Sequence, residues 1–182
     1  MVRTAFLVMC LLLGFGGCSS DPPPAPPTAA GQYRLGPGDK LNVVVFGNTE
    51  LSGAYTIDPD GHADLPLLGT MTIGGMTLAQ ARELIRSRLD REFLVNPRVS
   101  VEIVSYRPYY ILGEVNHPGN YPYSGDLTVA EAVAIAGGYT RRARSNDFLV
   151  TRRDHDHTAS YTLSANDLVM PGDMIEVRRR SF

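Results

Sequence analysis

Short runs of apolar residues alternate with polar ones along most of this chain, and Gly, Pro and Asp bound the runs. Alternation with a period of two is typical of strands that bury one face. The clearest example, residues 40–46, follows a Pro-Gly turn and carries three consecutive valines. We predict six strands from this pattern, over residues 40–46, 98–103, 109–115, 148–150, 159–163 and 174–178.

Two segments instead show the spacing of amphipathic helices, and each opens with a capping box. Thr77 is the predicted N-cap of a helix over residues 78–91, and Gln80 in its first turn completes the box. Thr128 and Glu131 have the same roles in a shorter helix that should end at the two glycines 137–138. Several short strands with two helices predict an α+β fold built from two small blocks.

Two Pro-Gly-Asp triplets each come directly before a predicted strand, at residues 37–39 and 171–173. Pro followed by Gly fits the centre of a type II turn. An Asp after such a turn commonly accepts hydrogen bonds from nearby backbone amides. We therefore interpret Asp39 and Asp173 as turn residues and not as catalytic acids. A further turn, at residues 59–61, is predicted to close a hairpin.

The first 17 residues resemble a secretory signal, because Arg3 precedes a short apolar run and small residues come before Cys18. The pattern is similar to that of bacterial lipoproteins, in which cleavage occurs before the cysteine and its sulfur is lipidated. We expect lipidation at Cys18; an ordinary signal with an incidental cysteine is the alternative. Residues 18–32, which are rich in proline, should form an anchor and an extended spacer about 30–40 Å long.

Composition excludes some classes of function. The net charge of −2 does not suit a nucleic-acid-binding surface, and a single cysteine in the mature chain cannot form an internal disulfide. The basic cluster 178–180 is interpreted as a solvated chain end, with contact to anionic groups as the alternative.

Candidate catalytic and metal-binding patterns are weak. Asp58, Asp60 and Asp64 lack the Gly and Glu positions of a calcium-binding EF-hand loop. On a strand His155 and His157 would share one face and could bind a metal, but a polar hairpin tip explains residues 154–157 without one and is the favoured interpretation. A Gly-x-Ser-x-Gly nucleophile motif is absent from the sequence. We expect no enzyme activity, no catalytic residues, no metal and no cofactor.

The order of several motifs resembles the outer-membrane polysaccharide export family. The motifs are a lipoprotein-like start and, in chain order, residues 33–39, 60–61, 65–69, 75–78 and 96–99. The motifs that follow resemble the soluble-ligand-binding β-grasp (SLBB) module, at residues 112–115, 117–119, 127–128 and 136–138. The resemblance implies an export domain over residues 33–106 and an SLBB domain over residues 107–182.

The resemblance also implies a function and partners. It implies a lipid-anchored protein of the outer membrane that faces the periplasm and passes capsular or secreted polysaccharide outward. The implied partners are further copies of the chain in an octamer-like ring, an inner-membrane co-polymerase with a tyrosine-kinase function, and the polymer. Because no C-terminal amphipathic pore helix is recognised in the sequence, we expect either a separate outer-membrane β-barrel as a further partner or a lipid anchor that holds the protein without a pore of its own. The alternative is a lipid-anchored carbohydrate-binding or envelope-scaffold module that forms no channel.

Two groups of residues are candidates for contacts in such a conduit. Tyr109, Tyr110, Tyr121 and Tyr123 can stack on sugars or fill an interface, although packing inside the domain is the simpler interpretation. Arg141, Arg142 and Arg144 are candidates for an interface between copies, with acidic residues of the neighbour as partners.

Overall fold

The structure is a computed structural model, and it describes residues 22–24, 33–154 and 157–180. Within these residues the chain forms ten strands, two α-helices and one short 3-10 helix. The predicted α+β fold is confirmed. None of the helices in the described ranges is both long and apolar enough to span a bilayer.

The first half of the chain forms a three-stranded sheet, a separate hairpin and a helix. Strand β1 lies at the centre of the sheet between β2 and β5, and both pairings are antiparallel. Its alternate side chains Leu41, Val43 and Val45 are buried, as the period of two predicts. The elements are β1 (Lys40–Val45), β2 (Gly53–Thr56), β3 (His62–Leu65), β4 (Gly69–Thr72), α1 (Leu78–Glu92) and β5 (Val99–Ser105), with the 3-10 helix at Thr49–Leu51.

The second half forms one five-stranded sheet with a short helix. The strand order is β7-β6-β10-β8-β9, in which β10 runs parallel to β6 and the other pairs are antiparallel. The helix contributes Val129, Ala132 and Val133 to the core. The elements are β6 (Tyr109–Gly113), β7 (Gly119–Tyr121), α2 (Val129–Ile135), β8 (Phe148–Asp154), β9 (His157–Leu163) and β10 (Met174–Val177).

Both predicted capping boxes are confirmed. The Gln80 backbone N–H donates to Thr77 Oγ1 at 3.3 Å, and the Thr77 N–H donates back to Gln80 Oε1 at 2.9 Å. Thr128 and Glu131 make the same pair of bonds at 3.3 and 2.8 Å. Each box satisfies two backbone donors that the first helical turn leaves free, and such a cap stabilises a helix by about 1 kcal/mol.

The predicted hairpin around residues 59–61 is wrong. The turn itself exists, because the Gly61 N–H donates to the Asp58 carbonyl at 3.1 Å. However, β2 before the turn pairs with β1, whereas β3 after it pairs with β4. The turn therefore joins strands of two different sheets, and the hairpin of this region is β3–β4, whose connection holds Leu67 at a φ of 65°.

The predicted signal 1–17, Cys18 and most of the linker lie outside the described residues. The described part, residues 22–24, lies along the edge strand β9. The Thr162 N–H donates to the Pro23 carbonyl at 2.9 Å, and the Thr162 hydroxyl donates to the Pro22 carbonyl at 3.0 Å. The start of the linker is thus bound to the second sheet, which corrects the expectation that it stands free as a spacer.

The buried apolar side chains form two separate clusters. One extends from Leu35 to Val101 and the other from Tyr109 to Val177. Arg107 lies between the two clusters along the chain. The domain ranges 33–106 and 107–182 stay a prediction.

Candidate functional site

The two Pro-Gly-Asp turns, far apart in sequence, converge on one arginine. The Arg107 backbone N–H donates to Asp39 Oδ1 at 2.8 Å, and its Nε donates to the Pro171 carbonyl at 3.0 Å. A single residue therefore bonds to the first turn through its backbone and to the second through its side chain. We call the two turns, Arg107 and the groups bonded to them the turn junction.

The carboxyl group of Asp39 is fully buried in the turn junction. Its Oδ2 accepts from the Gly36 N–H at 2.8 Å and from the Tyr33 hydroxyl at 2.6 Å. The guanidinium of Arg107 lies 3.7 Å from the same oxygen. The bond from Gly36 confirms the turn role predicted for Asp39, whereas neither its burial nor its contact with Arg107 is predictable from the neighbouring residues.

Asp173 is the counterpart in the second turn and is also fully buried. Its Oδ2 accepts from the Met170 N–H at 2.8 Å, which matches the bond that Asp39 makes three residues back. Its two oxygens also accept from Nε and Nη2 of Arg152, both at 2.8 Å. This bidentate geometry is among the stronger charge-assisted arrangements in proteins.

Arg107 packs against a glycine beside each turn. A Cβ at Gly36 would lie 1.7 Å from Nη1 of Arg107, and a Cβ at Gly172 would lie 2.6 Å from its Nε. Gly172 also has a φ of 84°, which other residues rarely adopt. At Gly172 the positive φ favours glycine in addition to the close Nε, whereas a side chain at Gly36 would displace the end of the Arg107 side chain.

Three tyrosines cross the boundary between the two halves beside this junction. Tyr106 makes edge-to-face contacts with Tyr33 at 5.2 Å and with Tyr123 at 5.4 Å between ring centroids. Burial raises the pKa of the Tyr33 hydroxyl, and the nearby Arg107 opposes that shift. The hydroxyl therefore stays protonated and donates to Asp39. Such aromatic pairs stabilise a contact by more than the burial of their surface area alone would.

The turn junction is suited to holding the two halves in one arrangement. Both carboxyl groups are enclosed and accept several hydrogen bonds each, so a solvent-borne substrate cannot reach them. The guanidiniums of Arg107 and Arg152 are also mostly covered. The groups of this site connect parts of the fold to one another.

The four tyrosines predicted to contact sugar or an interface have different environments. Tyr109 is fully buried in the second core, as the packing interpretation expects. Tyr121 stacks on Tyr109 at 5.8 Å and donates its hydroxyl to the His117 carbonyl at 2.6 Å. Tyr123 contacts Tyr106, and Tyr110 is 42% exposed. For Tyr110, Tyr121 and Tyr123 a contact with glycan or a neighbour stays a prediction.

The arginines predicted to form an interface lie on the surface. Arg141, Arg142 and Arg144 are exposed, while Ala143 between them is buried. Arg144 already has a partner within the chain, because its Nε lies 2.7 Å from Asp147 Oδ1, in an ion pair without a well-aligned hydrogen bond. A contact of these residues with another copy stays a prediction.

A small group of possible metal ligands lies at the turn between β2 and β3. Ligand atoms of Asp58, Asp60 and His62 lie within 4.8 Å of one another. The turn geometry accounts for this grouping, because Asp58 Oδ1 accepts from the backbone N–H groups of Asp60 and His62. The side chains of residues 154–157, which include the His155–His157 candidate, lie outside the described structure.

Two family models match consecutive parts of the chain. Residues 27–104 match polysaccharide biosynthesis/export protein, and residues 108–161 match the SLBB domain. The first match contains the Pro-Gly-Asp turn at 37–39, and the second begins one residue after Arg107. The chain belongs to the family of polysaccharide export proteins. The resemblance that the sequence motifs indicated is thereby confirmed.

Curated relatives are consistent with this family. The chain is 37% identical to the exopolysaccharide production protein ExoF of Rhizobium meliloti over 131 residues, covering 65% of this chain and 31% of ExoF. It is 28% identical to the EPS I polysaccharide export outer membrane protein EpsA of Ralstonia nicotianae, covering 81% and 48%. It is 26% identical to the polysialic acid transport protein KpsD of Escherichia coli, covering 75% and 29%. The chain thus spans less than half the length of these relatives.

Proposed function

We propose that this export-family chain is a periplasmic component of a conduit that carries capsular or secreted polysaccharide to the outer membrane. The observation that carries the proposal is the consecutive match of the export and SLBB models, with the turn junction between them. The named relatives produce, export or transport polysaccharides, and EpsA is named an outer membrane protein. The proposed role is structural, since the buried groups of the junction connect elements of the two halves.

The conduit itself is proposed to form between copies of the chain. The described part is two small blocks whose cores are filled by side chains, so a passage wide enough for a glycan has to lie between subunits. A closed ring with head-to-tail contacts provides such a passage. The inner-membrane co-polymerase and an outer-membrane partner would then lie at its two ends.

Crosslinking in intact cells at native abundance tests this assembly. We expect a ladder of products that ends at one closed ring, and we expect it to persist when polymer synthesis is blocked. If crosslinking gives only monomers, the ring is excluded and the lipid-anchored module without a channel becomes the better interpretation. A periplasmic protein of similar abundance serves as the control for random crosslinking.

The proposal also includes lipidation at Cys18. Mass spectrometry of the mature protein should show an N-terminal Cys18 that carries lipid, and the Cys18→Ser variant should leave the membrane fraction or accumulate as a precursor. An unmodified cysteine in the mature chain would contradict the anchor without affecting the assignment to the family.

A further inference from the structure

Two arginine-rich segments that are distant in sequence form one surface. The Arg144 N–H donates to the Arg178 carbonyl and the Arg180 N–H donates to the Arg142 carbonyl, both at 2.8 Å. Ala143, which pairs with Arg179, anchors this contact in the core. The resulting arginine surface consists of Arg141, Arg142, Arg144, Arg178, Arg179 and Arg180.

The positive charge of the arginine surface is only partly neutralised within the described chain. Asp147 lies between two of the arginines, with Oδ2 2.5 Å from Nη2 of Arg178 and Oδ1 2.7 Å from Nε of Arg144. Glu114 borders the surface and accepts a hydrogen bond from the Thr140 hydroxyl. Asp147 thus pairs with Arg144 and Arg178, whereas the described residues place no carboxylate within 4.0 Å of Arg141, Arg142, Arg179 or Arg180.

The arginine surface lies at the end of the second sheet to which the linker is bound. In the register of this sheet Thr162 pairs with Leu149, and Leu149 pairs with Glu176, two residues before Arg178. Thr162 is also the residue that holds Pro22 and Pro23. The turn junction lies at the opposite end, where Met174 pairs with Tyr110. The first half of the chain and the arginine surface therefore lie at opposite ends of the strands of this sheet.

The linker limits how far this end can be from the proposed anchor. Four peptide units separate Cys18 from Pro22, and a fully extended chain of that length spans about 14 Å. Since Pro22 is bound to the edge strand, the lipid on Cys18 would hold this end of the sheet close to the membrane. A group of exposed arginines would then lie near the phosphate groups of the lipids.

We propose that the arginine surface binds headgroups of anionic phospholipids in the membrane that holds Cys18, an inference that rests on the lipid anchor of the proposed function. Guanidinium groups bind phosphate through paired hydrogen bonds and keep their charge at all relevant pH values. The position beside the anchor favours lipid over an acidic surface of a second copy. The contact would fix the orientation of the two blocks, with the first half of the chain pointing away from the membrane.

Vesicle binding by a chain without lipid tests the proposal. The probe is phosphatidylcholine vesicles with and without phosphatidylglycerol, and the protein is the chain from residue 18 onward with Cys18→Ser. We expect binding only to the vesicles that contain phosphatidylglycerol, and we expect added salt to weaken it. Each arginine near an anionic bilayer contributes about fivefold in affinity, so R141Q/R142Q/R179Q/R180Q should weaken binding by roughly 100-fold or more.

Two matched variants separate a charge effect from a folding effect. R82Q/R86Q/R88Q/R91Q removes the same charge from α1 in the first half and should bind normally. Replacing the same four surface arginines by lysine should retain most of the binding, and thermal unfolding should show that all variants are folded.

Three outcomes would overturn the proposal: equal binding to both kinds of vesicle, an equal loss in the α1 variant, or loss of self-association without loss of vesicle binding. The last outcome would assign the surface to a second copy. If Cys18 carries lipid in cells and vesicle binding fails, only this inference is wrong. If the arginine-dependent vesicle binding holds and export proves independent of the chain, the proposed function is wrong and the membrane contact remains.

Discussion

Asp39→Asn should lower the free energy of unfolding by about 3 kcal/mol, because it disrupts a buried charge pair and its hydrogen bonds. The carboxyl group of Asp39 accepts from Gly36, Tyr33 and Arg107 at 2.6 to 2.8 Å. An amide has one acceptor oxygen, and its NH₂ group would face donors. The substitution also leaves the guanidinium of Arg107 without its carboxylate inside the junction. Urea denaturation measures the change.

Asp60→Asn is the matched control for Asp39→Asn. Asp60 is exposed on the turn between β2 and β3, and the same substitution there should change stability by less than about 0.5 kcal/mol. A similarly small change for Asp39→Asn would show that the turn junction does not stabilise the fold. It would also remove the argument that the two halves are held in one arrangement.

Signals confined to a few neighbouring residues predicted the local structure well. Thr77 with Gln80 and Thr128 with Glu131 marked both helix starts correctly, because a capping box depends only on residues three apart. The alternation in residues 40–46 identified the central strand of the first sheet for the same reason. These elements follow from local chemistry whatever the rest of the chain does.

Features that depend on distant residues were not predictable in this way. Arg107 joins Asp39 to Pro171, and these partners lie 68 and 64 positions away. Nothing in the residues around Arg107 distinguishes it from the exposed arginines of α1. The repeat of Pro-Gly-Asp was visible in the sequence, and the structure explains it, since each triplet supplies one side of the same arginine site.

Two other features were also unpredictable from neighbouring residues alone. They are the strand pairing around residues 59–61 and the contact of residues 141–144 with 178–180. A turn motif shows where the chain reverses but not which strands pair afterwards. Here β2 pairs with β1 and not with β3. In the second case, the basic cluster 178–180 was interpreted as a solvated end. Its backbone pairing with residues 142 and 144 created a surface that neither segment indicated alone.

The function is inferred from other observations than those that define the fold. The turn junction explains how two small blocks can be held together, but polysaccharide export is proposed from the order of the two matched families and from the named relatives. The junction fits that proposal, because it connects the two blocks of one subunit through buried hydrogen bonds.

Polymer should reach the cell surface only when the chain is present. The most direct test measures polysaccharide on the surface and inside cells of a strain that lacks the chain, with and without a plasmid copy. We expect surface polymer to be abolished while the synthesis enzymes remain active, and to return with the plasmid copy. Normal surface polymer in the deletion strain would contradict the account.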